Sequence, residues 1–154
     1  TIFFEDREIR DDLLKETDCR IGGGIALGYA LERRNGNDKP DCTVVTYGLM
    51  RQVVEQALDP MLNIDLIDLR SIYPIDWMAI RGSVRRSGKL LVIEPDVQYG
   101  GVGAEIAATI AESMPRVQVK RLGGRRQTIP ATMEQHRRMM PREEEVLYAV
   151  SHWD

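Results

Sequence analysis

A regular alternation of strand-like and helix-like segments from residue 41 onward is the feature that most restricts the fold of this chain. "CTVVTYG" (residues 42–48) is rich in β-branched residues and ends at glycine, which predicts a buried strand. "MRQVVEQAL" (50–58) follows with apolar residues at helical spacing. Strand-like segments at 63–72 and 89–94 are likewise followed by helical patterns at 77–88 and 103–114. This order predicts a mostly parallel sheet with helices on both faces.

Local signals mark where these elements begin and end. Asp76 is placed to cap the second helix, and Gly88 is placed to end it. "RVQVKRL" (116–122) alternates apolar and basic residues, which predicts an edge strand or a half-exposed strand. "PREEEVLYAV" predicts a last helix, with Pro141 ahead of an acidic first turn.

The first 40 residues do not follow this rhythm. "TIFF" (1–4) is strand-like but has no evident partner, so it is interpreted as the closing strand of a preceding domain. Residues 5–39 then form a charged connection, with a turn signal at 36–40. We therefore predict a division into residues 1–40, the end of a preceding domain plus linker, and residues 41–154, an α/β domain.

Charge and cysteine content exclude several classes of function. The formal net charge is -3 and no apolar run is long enough to span a bilayer, so neither a nucleic acid nor a membrane is an expected partner. The sequence also lacks a signal-peptide pattern. The two cysteines, Cys19 and Cys42, make no disulfide framework and fit a reducing compartment.

The segment "QYGGVGAEIAATIAESM" contains the most conspicuous glycine motif. Gly100–Gly103 has neither the G-x-G-x-x-G nor the P-loop spacing, and it follows the third strand rather than the first. The favoured interpretation is a tight turn with close backbone packing, which glycine permits because it lacks Cβ. Alanines along the following helix would allow close approach of a neighbour, which suggests a subunit interface.

The other candidate sites are incomplete. Gly22, Gly23 and Gly24 could cradle an anion before a helix reaching Asn35, although a linker running into a short surface helix is favoured. Neither His136 nor His152 has metal-ligand spacing. Glu94 ends a strand and is expected to be a loop hydrogen-bonder or an interface residue. An arginine group could bind an anionic partner, although a solvated surface is favoured: Arg125, Arg126, Arg137, Arg138 and Arg142.

The order of the motifs resembles one family. "VTYG", "IDLRSIYPID", "SGKLLVIE", "GGVGAEIAA" and "IPATMEQHRRMMP" together resemble the C-terminal, transketolase-like domain of the beta subunit of thiamine-diphosphate-dependent 2-oxoacid dehydrogenases, the decarboxylating component of these complexes. The resemblance covers about residues 41–141, and "TIFFE" looks like the last strand of the family's pyrimidine-binding domain. It implies a three-layer α/β fold with a mostly parallel five-stranded sheet and helices on both faces.

The resemblance also implies a function. The parent enzyme would decarboxylate a pyruvate-type or branched-chain 2-oxoacid with thiamine diphosphate and Mg, and pass the acyl group to lipoyl groups. This domain would hold no catalytic, cofactor or metal residue, so the chain alone is expected to be inactive and cofactor-free. Its partners would be an alpha subunit and a second beta subunit in an α2β2 tetramer, and the peripheral binding domain of the transacylase. The compartment would be the bacterial cytoplasm or the mitochondrial matrix.

Six residues are the interface candidates on this interpretation: Glu94, Asp96, Tyr99, Gly100, Gly101 and Gly103. The chain departs from the family pattern at Pro95, in its glycine-rich linker, and at Arg125-Arg126, where acidic or small residues are common. Two alternatives stay open: a stand-alone α/β adaptor module, and the C-terminal domain of another thiamine enzyme such as transketolase or deoxyxylulose-phosphate synthase. The unpartnered "TIFF" strand argues against the adaptor.

Overall fold

The computed structural model of the chain describes residues 26–34, 38–58, 62–128 and 130–153. The strands are β1 (Leu31–Arg34), β2 (Cys42–Thr46), β3 (Ile64–Asp68), β4 (Lys89–Val97) and β5 (Gln118–Gly124). The helices are α1 (Met50–Ala57), α2 (Trp77–Ser87), α3 (Val102–Ser113), α4 (Met133–Arg137) and α5 (Glu143–Ser151).

All five strands form one sheet in the order β1-β3-β2-β4-β5. The pairs β3–β2, β2–β4 and β4–β5 are parallel, whereas β1 runs antiparallel to β3. The sheet thus has the predicted mostly parallel, five-stranded architecture. The basic strand β5 lies at one edge and is only partly buried, which confirms the prediction for residues 116–122.

Helices lie on both faces of the sheet, so the domain has three layers, and one apolar cluster lies between the sheet and the helices on each face. Alternate strand residues face opposite sides, so Val44 and Leu91 pack against α1 and α5, whereas Val45 and Val92 pack against α2 and α3. The central strands β2 and β3 are buried along their whole length because helices cover both sides of them.

The predicted ends of α2 are confirmed. The Asp76 carboxylate accepts a hydrogen bond from the Ala79 amide at 2.9 Å, and a second one from the Ala30 amide at 3.0 Å. Gly88 ends the helix at φ +70, a conformation that favours glycine. Asp76 therefore caps its own helix and also holds the segment that leads into β1.

The prediction of a helix running through Asn35 is wrong for residues 31–34, which form strand β1 instead. Residues 31–34 are extended and pair with β3 from Leu31–Asp68 to Arg34–Asp65. The local sequence has good helix formers, but the open edge of β3 provides backbone partners that a helix would leave unmet. Strand β1 thus joins the sheet from the part of the chain assigned to the linker. The division at residue 40 stays a prediction, and "TIFF" and Gly22–Gly24 lie outside the described residues.

Candidate functional site at the carboxyl edge of the sheet

Strands β2 and β4 are neighbours in the sheet, and the connections that follow their carboxyl ends lead to opposite faces of the sheet. Helix α1 follows β2 and packs on one face, whereas α3 follows β4 and packs on the other. Such a divergence opens a crevice in parallel sheets, and ligands commonly bind there. Tyr47 follows β2, Glu94 lies near the end of β4, and the glycine motif begins α3.

Glu94 is the central residue of this crevice, and its side chain is turned inward. It is 0% exposed. Its Oε2 accepts a hydrogen bond from the Gly103 amide at 2.8 Å and lies 3.3 Å from the Tyr47 hydroxyl. That hydroxyl also lies 3.4 Å from Oδ2 of Asp96. Because α3 has no capping side chain of its own at Gly101, the Glu94 carboxyl supplies the cap from the neighbouring strand.

The glycines make room for this carboxyl group. A Cβ atom on Gly101 would lie 2.5 Å from Glu94 Oε2, and one on Gly103 would lie 2.6 Å from Oε1. The nearest atoms in both cases belong to the Glu94 side chain, so within this chain the two glycines make room for a side chain rather than for a second backbone. Gly100 is needed for a different reason, since its φ of +78 favours a residue without Cβ.

Burial changes the acid–base behaviour of the crevice. Loss of water around Glu94 raises its pKa from the ordinary glutamate value, against the opposing hydrogen bonds from Gly103 and Tyr47. Burial, together with the nearby Glu94 and Asp96 carboxylates, also raises the pKa of the Tyr47 hydroxyl. Within the described residues, Glu94 Oε1 has no hydrogen-bond partner. Glu94 is fully buried and its Oε2 is engaged by Gly103 and Tyr47, so its carboxyl group does not face an outside substrate.

Thiamine diphosphate and Mg do not fit this crevice. A diphosphate would bind at the N-terminus of α3, but the Glu94 carboxyl already occupies that position. Among the described residues, no group of three or more His, Cys, Asp or Glu side chains could hold a metal ion. This crevice therefore fits neither the diphosphate nor the metal ion.

The loop between β4 and α3 is fixed to the neighbouring strand and presents an aromatic ring. Gln98 Nε2 donates to the Arg121 carbonyl at 2.7 Å, and Arg121 Nη1 donates to the Gln98 carbonyl at 2.7 Å. Tyr99 follows with 75% of its surface exposed, and the Arg126 guanidinium lies 4.6 Å from the centre of its ring. This cation–π contact favours one orientation of the ring at the surface.

The six predicted interface residues thus divide into two groups. Asp96, Tyr99 and Gly100 are exposed and available to a partner, whereas Glu94 and Gly103 are buried inside this chain and Gly101 is half-buried. The role of the six residues at a subunit boundary stays a prediction.

An exposed apolar surface that sequence reasoning missed lies next to β3. The Gly28 amide bonds Ser71 Oγ at 3.1 Å, which holds residues 26–30 against the loop that precedes α2. Tyr73 is 92% exposed and Met78 is 87% exposed. The surface, called the apolar patch below, consists of Leu27, Tyr29, Ile72, Tyr73 and Met78. Its signal in the sequence was the apolar residue Met78 on the outer side of an otherwise amphipathic helix.

The remaining candidate residues lie elsewhere. The His152 ring stacks on Tyr148, with the ring centres 4.1 Å apart. Cys42 is buried and free, and burial raises the pKa of its thiol to about 12, so it is an unreactive core residue. The predicted arginine group does come together, around α4 and the end of β5, with all five side chains exposed. In the described residues, no helix has the length and apolar character needed to cross a membrane.

The comparison with protein families agrees with this architecture. The family model for the transketolase C-terminal domain matches residues 28–146. The chain belongs to this family.

More specific likenesses come from individual proteins. The chain is 34% identical over 92 residues to the 2-oxoisovalerate dehydrogenase subunit beta of Bacillus subtilis, a match over 57% of this chain and 27% of that protein. It is 36% identical over 93 residues to the 3-methyl-2-oxobutanoate dehydrogenase subunit beta of Mycobacterium tuberculosis, over 57% and 26% of the two chains. The matches thus span about a quarter of the length of these relatives.

A pyruvate dehydrogenase E1 component subunit beta from Staphylococcus epidermidis is 34% identical over 92 residues, again 57% of this chain and 27% of the relative. Among solved structures, a split-gene transketolase, described as an inactive beta4 tetramer, superposes with a TM-score of 0.65 at 22% identity. That superposition covers 79% of this chain and 41% of the other, and it confirms the fold.

Proposed function

We propose that this chain is an assembly and partner-docking domain of a thiamine-diphosphate-dependent 2-oxoacid dehydrogenase, in a subunit of the beta type. The parent enzyme would act on pyruvate or a branched-chain 2-oxoacid, and this domain would contribute no catalytic group. The names of the relatives favour this parent over transketolase or deoxyxylulose-phosphate synthase.

The apolar patch is the observation that carries the assembly role. Monomeric proteins seldom leave several large apolar side chains together in water, and such patches mark contact surfaces. Tyr73 and Met78 are almost fully exposed, although they belong to the segment "IYPIDWM" that connects two well-packed elements. A surface function is the simplest reason for keeping these residues apolar.

The proposed occupant of the patch is a second copy of the chain. None of the five patch residues is charged, so the patch can face its own copy across a two-fold axis without like-charge repulsion. Asp76, which lies between Tyr73 and Met78 in the sequence, has its carboxylate held by two backbone amides. An alpha-type subunit is the other possible occupant, and the experiment below separates the two.

Sedimentation velocity over a range of protein concentrations tests this proposal. We expect self-association in the original protein and a shift to monomer in a Met78→Asp variant, because a carboxylate in an apolar contact is costly to desolvate. Leu147→Asp is the matched control, since Leu147 is also exposed but lies on α5, on the opposite face.

A protein that stays monomeric at all concentrations would exclude the second copy as the occupant. If the patch then bound a co-expressed alpha-type subunit, and Met78→Asp abolished that binding, the assembly role would stand with a different partner. Binding to neither would contradict the proposal.

A further inference from the structure

The five arginines that surround α4 form a second exposed surface, called the arginine face below. It consists of Arg125, Arg126, Arg137, Arg138 and Arg142, and its centre is an open depression lined by Arg137, Arg138, Arg142 and Glu134. The chain as a whole has a net charge of -3, so this concentration of positive charge is local.

A buried anchor, residues 139–141, holds the backbone that carries these side chains. Met139, Met140 and Pro141 are buried, and this places the arginines on either side of them at the surface. The Met139 carbonyl accepts a hydrogen bond from the Arg125 amide at 3.0 Å, which joins the end of β5 to the same anchor. The backbone beneath the arginine face is therefore packed against the domain, although the arginine side chains lie in solvent.

The acidic residues nearby neutralise only part of this charge. Glu134 pairs with Arg138, and Glu145 accepts a hydrogen bond from the Arg142 amide while lying 3.8 Å from Arg125. In the described part of the chain, neither Arg126 nor Arg142 has a carboxylate within ion-pair distance of its side chain. Arg126 is exposed and its guanidinium instead lies 4.6 Å from the centre of the Tyr99 ring.

We propose that the arginine face, together with Tyr99, docks an acidic segment of a partner protein. Arginine forks bind carboxylates with two parallel hydrogen bonds, and an exposed tyrosine beside them provides apolar contact area. This inference rests on the proposed function as a docking domain and specifies the charge of one docking partner, which is separate from the apolar patch.

The borders of the face favour a polypeptide over other anions. Glu134, Glu143 and Glu144 are exposed at its edges and would repel a continuous chain of phosphates such as a nucleic acid. An acidic peptide can place its separate carboxylates between these residues. The depression is also too open to exclude water from a single small anion, so several contacts along a segment are needed for useful affinity.

Calorimetric titration of the full chain with a short synthetic peptide that alternates glutamate and alanine tests this inference. We expect binding at low ionic strength that weakens as salt is added, because the attraction is electrostatic. An Arg126→Gln/Arg142→Gln double variant should bind about tenfold more weakly. The matched control, Arg85→Gln/Arg116→Gln, removes the same charge from exposed positions near the amino ends of β4 and β5, away from the arginine face, and should bind as the original protein does.

Four results would overturn the inference: no binding of the glutamate peptide, equal weakening in both double variants, tighter binding of a lysine–alanine peptide, or arginine-dependent binding of inorganic pyrophosphate or a single-stranded oligothymidine that matches or exceeds the peptide. Sedimentation of the same variants distinguishes this failure from a failure of the proposed function. Self-association that depends on Met78 but not on Arg126 and Arg142 would leave the assembly role intact whether or not the peptide binds.

Discussion

Two connections leave the same carboxyl edge of the sheet and use their conspicuous residues in opposite ways. The β4–α3 connection turns its polar group inward, where Glu94 is 0% exposed and caps α3 beneath the glycines. The β3–α2 connection turns its apolar residues outward, with Tyr73 almost fully in solvent. The glycine motif thus makes room for the Glu94 carboxyl, and the proposed contact surface lies where apolar side chains are exposed to solvent.

The largest loss of stability should come from adding a side chain to one of the glycines that lie against the Glu94 carboxyl. We expect Gly103→Val to lower the free energy of unfolding by about 3 kcal/mol, because its Cβ would overlap the buried Glu94 carboxyl and displace it from its hydrogen bonds. Urea unfolding followed by circular dichroism measures the change. Gly82→Ala is the control, since no atom lies within 4 Å of its added Cβ and a helix gains stability from alanine. Equal stability of Gly103→Val and the original protein would show that the carboxyl is free to move.

Removing the Glu94 carboxyl should have the next largest effect. Glu94→Ala leaves the Gly103 amide without its acceptor and a small void beside it, so we expect a loss of about 2 kcal/mol in urea unfolding. Glu94→Gln keeps the shape and the acceptor oxygen, and it should cost less than Glu94→Ala.

The Glu94→Gln variant also tests the pH dependence. Because the pKa of Glu94 is raised in the folded state, the folded chain holds this proton more tightly than the unfolded chain does. Its contribution to stability is therefore complete below the ordinary carboxyl pKa and declines as pH rises through the raised one. We expect the original protein to lose stability relative to Glu94→Gln over that interval. If the difference in free energy of unfolding between the original protein and Glu94→Gln stays constant from about pH 4 to about pH 8, the raised pKa of Glu94 is contradicted.

A smaller effect is expected at Tyr47. Tyr47→Phe removes the hydroxyl that lies between Glu94 and Asp96 and keeps the ring, so we expect a loss of about 1 kcal/mol. Thermal unfolding with Tyr148→Phe as the control measures it, because Tyr148 is exposed on α5, outside the apolar patch. An unchanged midpoint for Tyr47→Phe would mean that its hydroxyl contributes little to holding Glu94.

The smallest effect on stability should come from the outward-facing connection. Met78 lies in the first turn of α2 and is 87% exposed, so Met78→Asp removes little packing and places a negative charge near the helix N-terminus. We expect the free energy of unfolding to change by about 0.5 kcal/mol or less, even as association is lost. A large loss of stability would show that Met78 belongs to the core of the domain rather than to a contact surface.

Periodicity was sufficient to predict the parallel part of the fold. Strands β2 to β5 and helices α1, α2, α3 and α5 lie where apolar spacing, Asp76, Gly88 and Pro141 indicated. Strand β1 could not be predicted in the same way, because "LERR" has no strand signal of its own and is extended only through its pairing with β3.

The candidate site was harder to predict than the fold. Glu94, Gly101 and Gly103 were each identified from the sequence, but the contact among them is a tertiary one between a strand end and a helix N-terminus. The signal was a lone acid at the end of a strand with two glycines a few residues later at the start of a helix, where a carboxylate is a favoured cap. The apolar patch could hardly be predicted from the sequence, since the spacing of apolar residues does not show which of them are exposed.

Strand β1 has a consequence for how this domain can be exchanged between polypeptides. A protein that began at residue 41 would keep every parallel strand, yet the outer backbone of β3 would be uncovered along a stretch that is buried on both faces. Such an edge invites pairing with any extended chain nearby. The unit that evolution or an engineer can move intact therefore includes the short antiparallel strand, whose exposed Glu32 and Arg33 give the sheet a charged border.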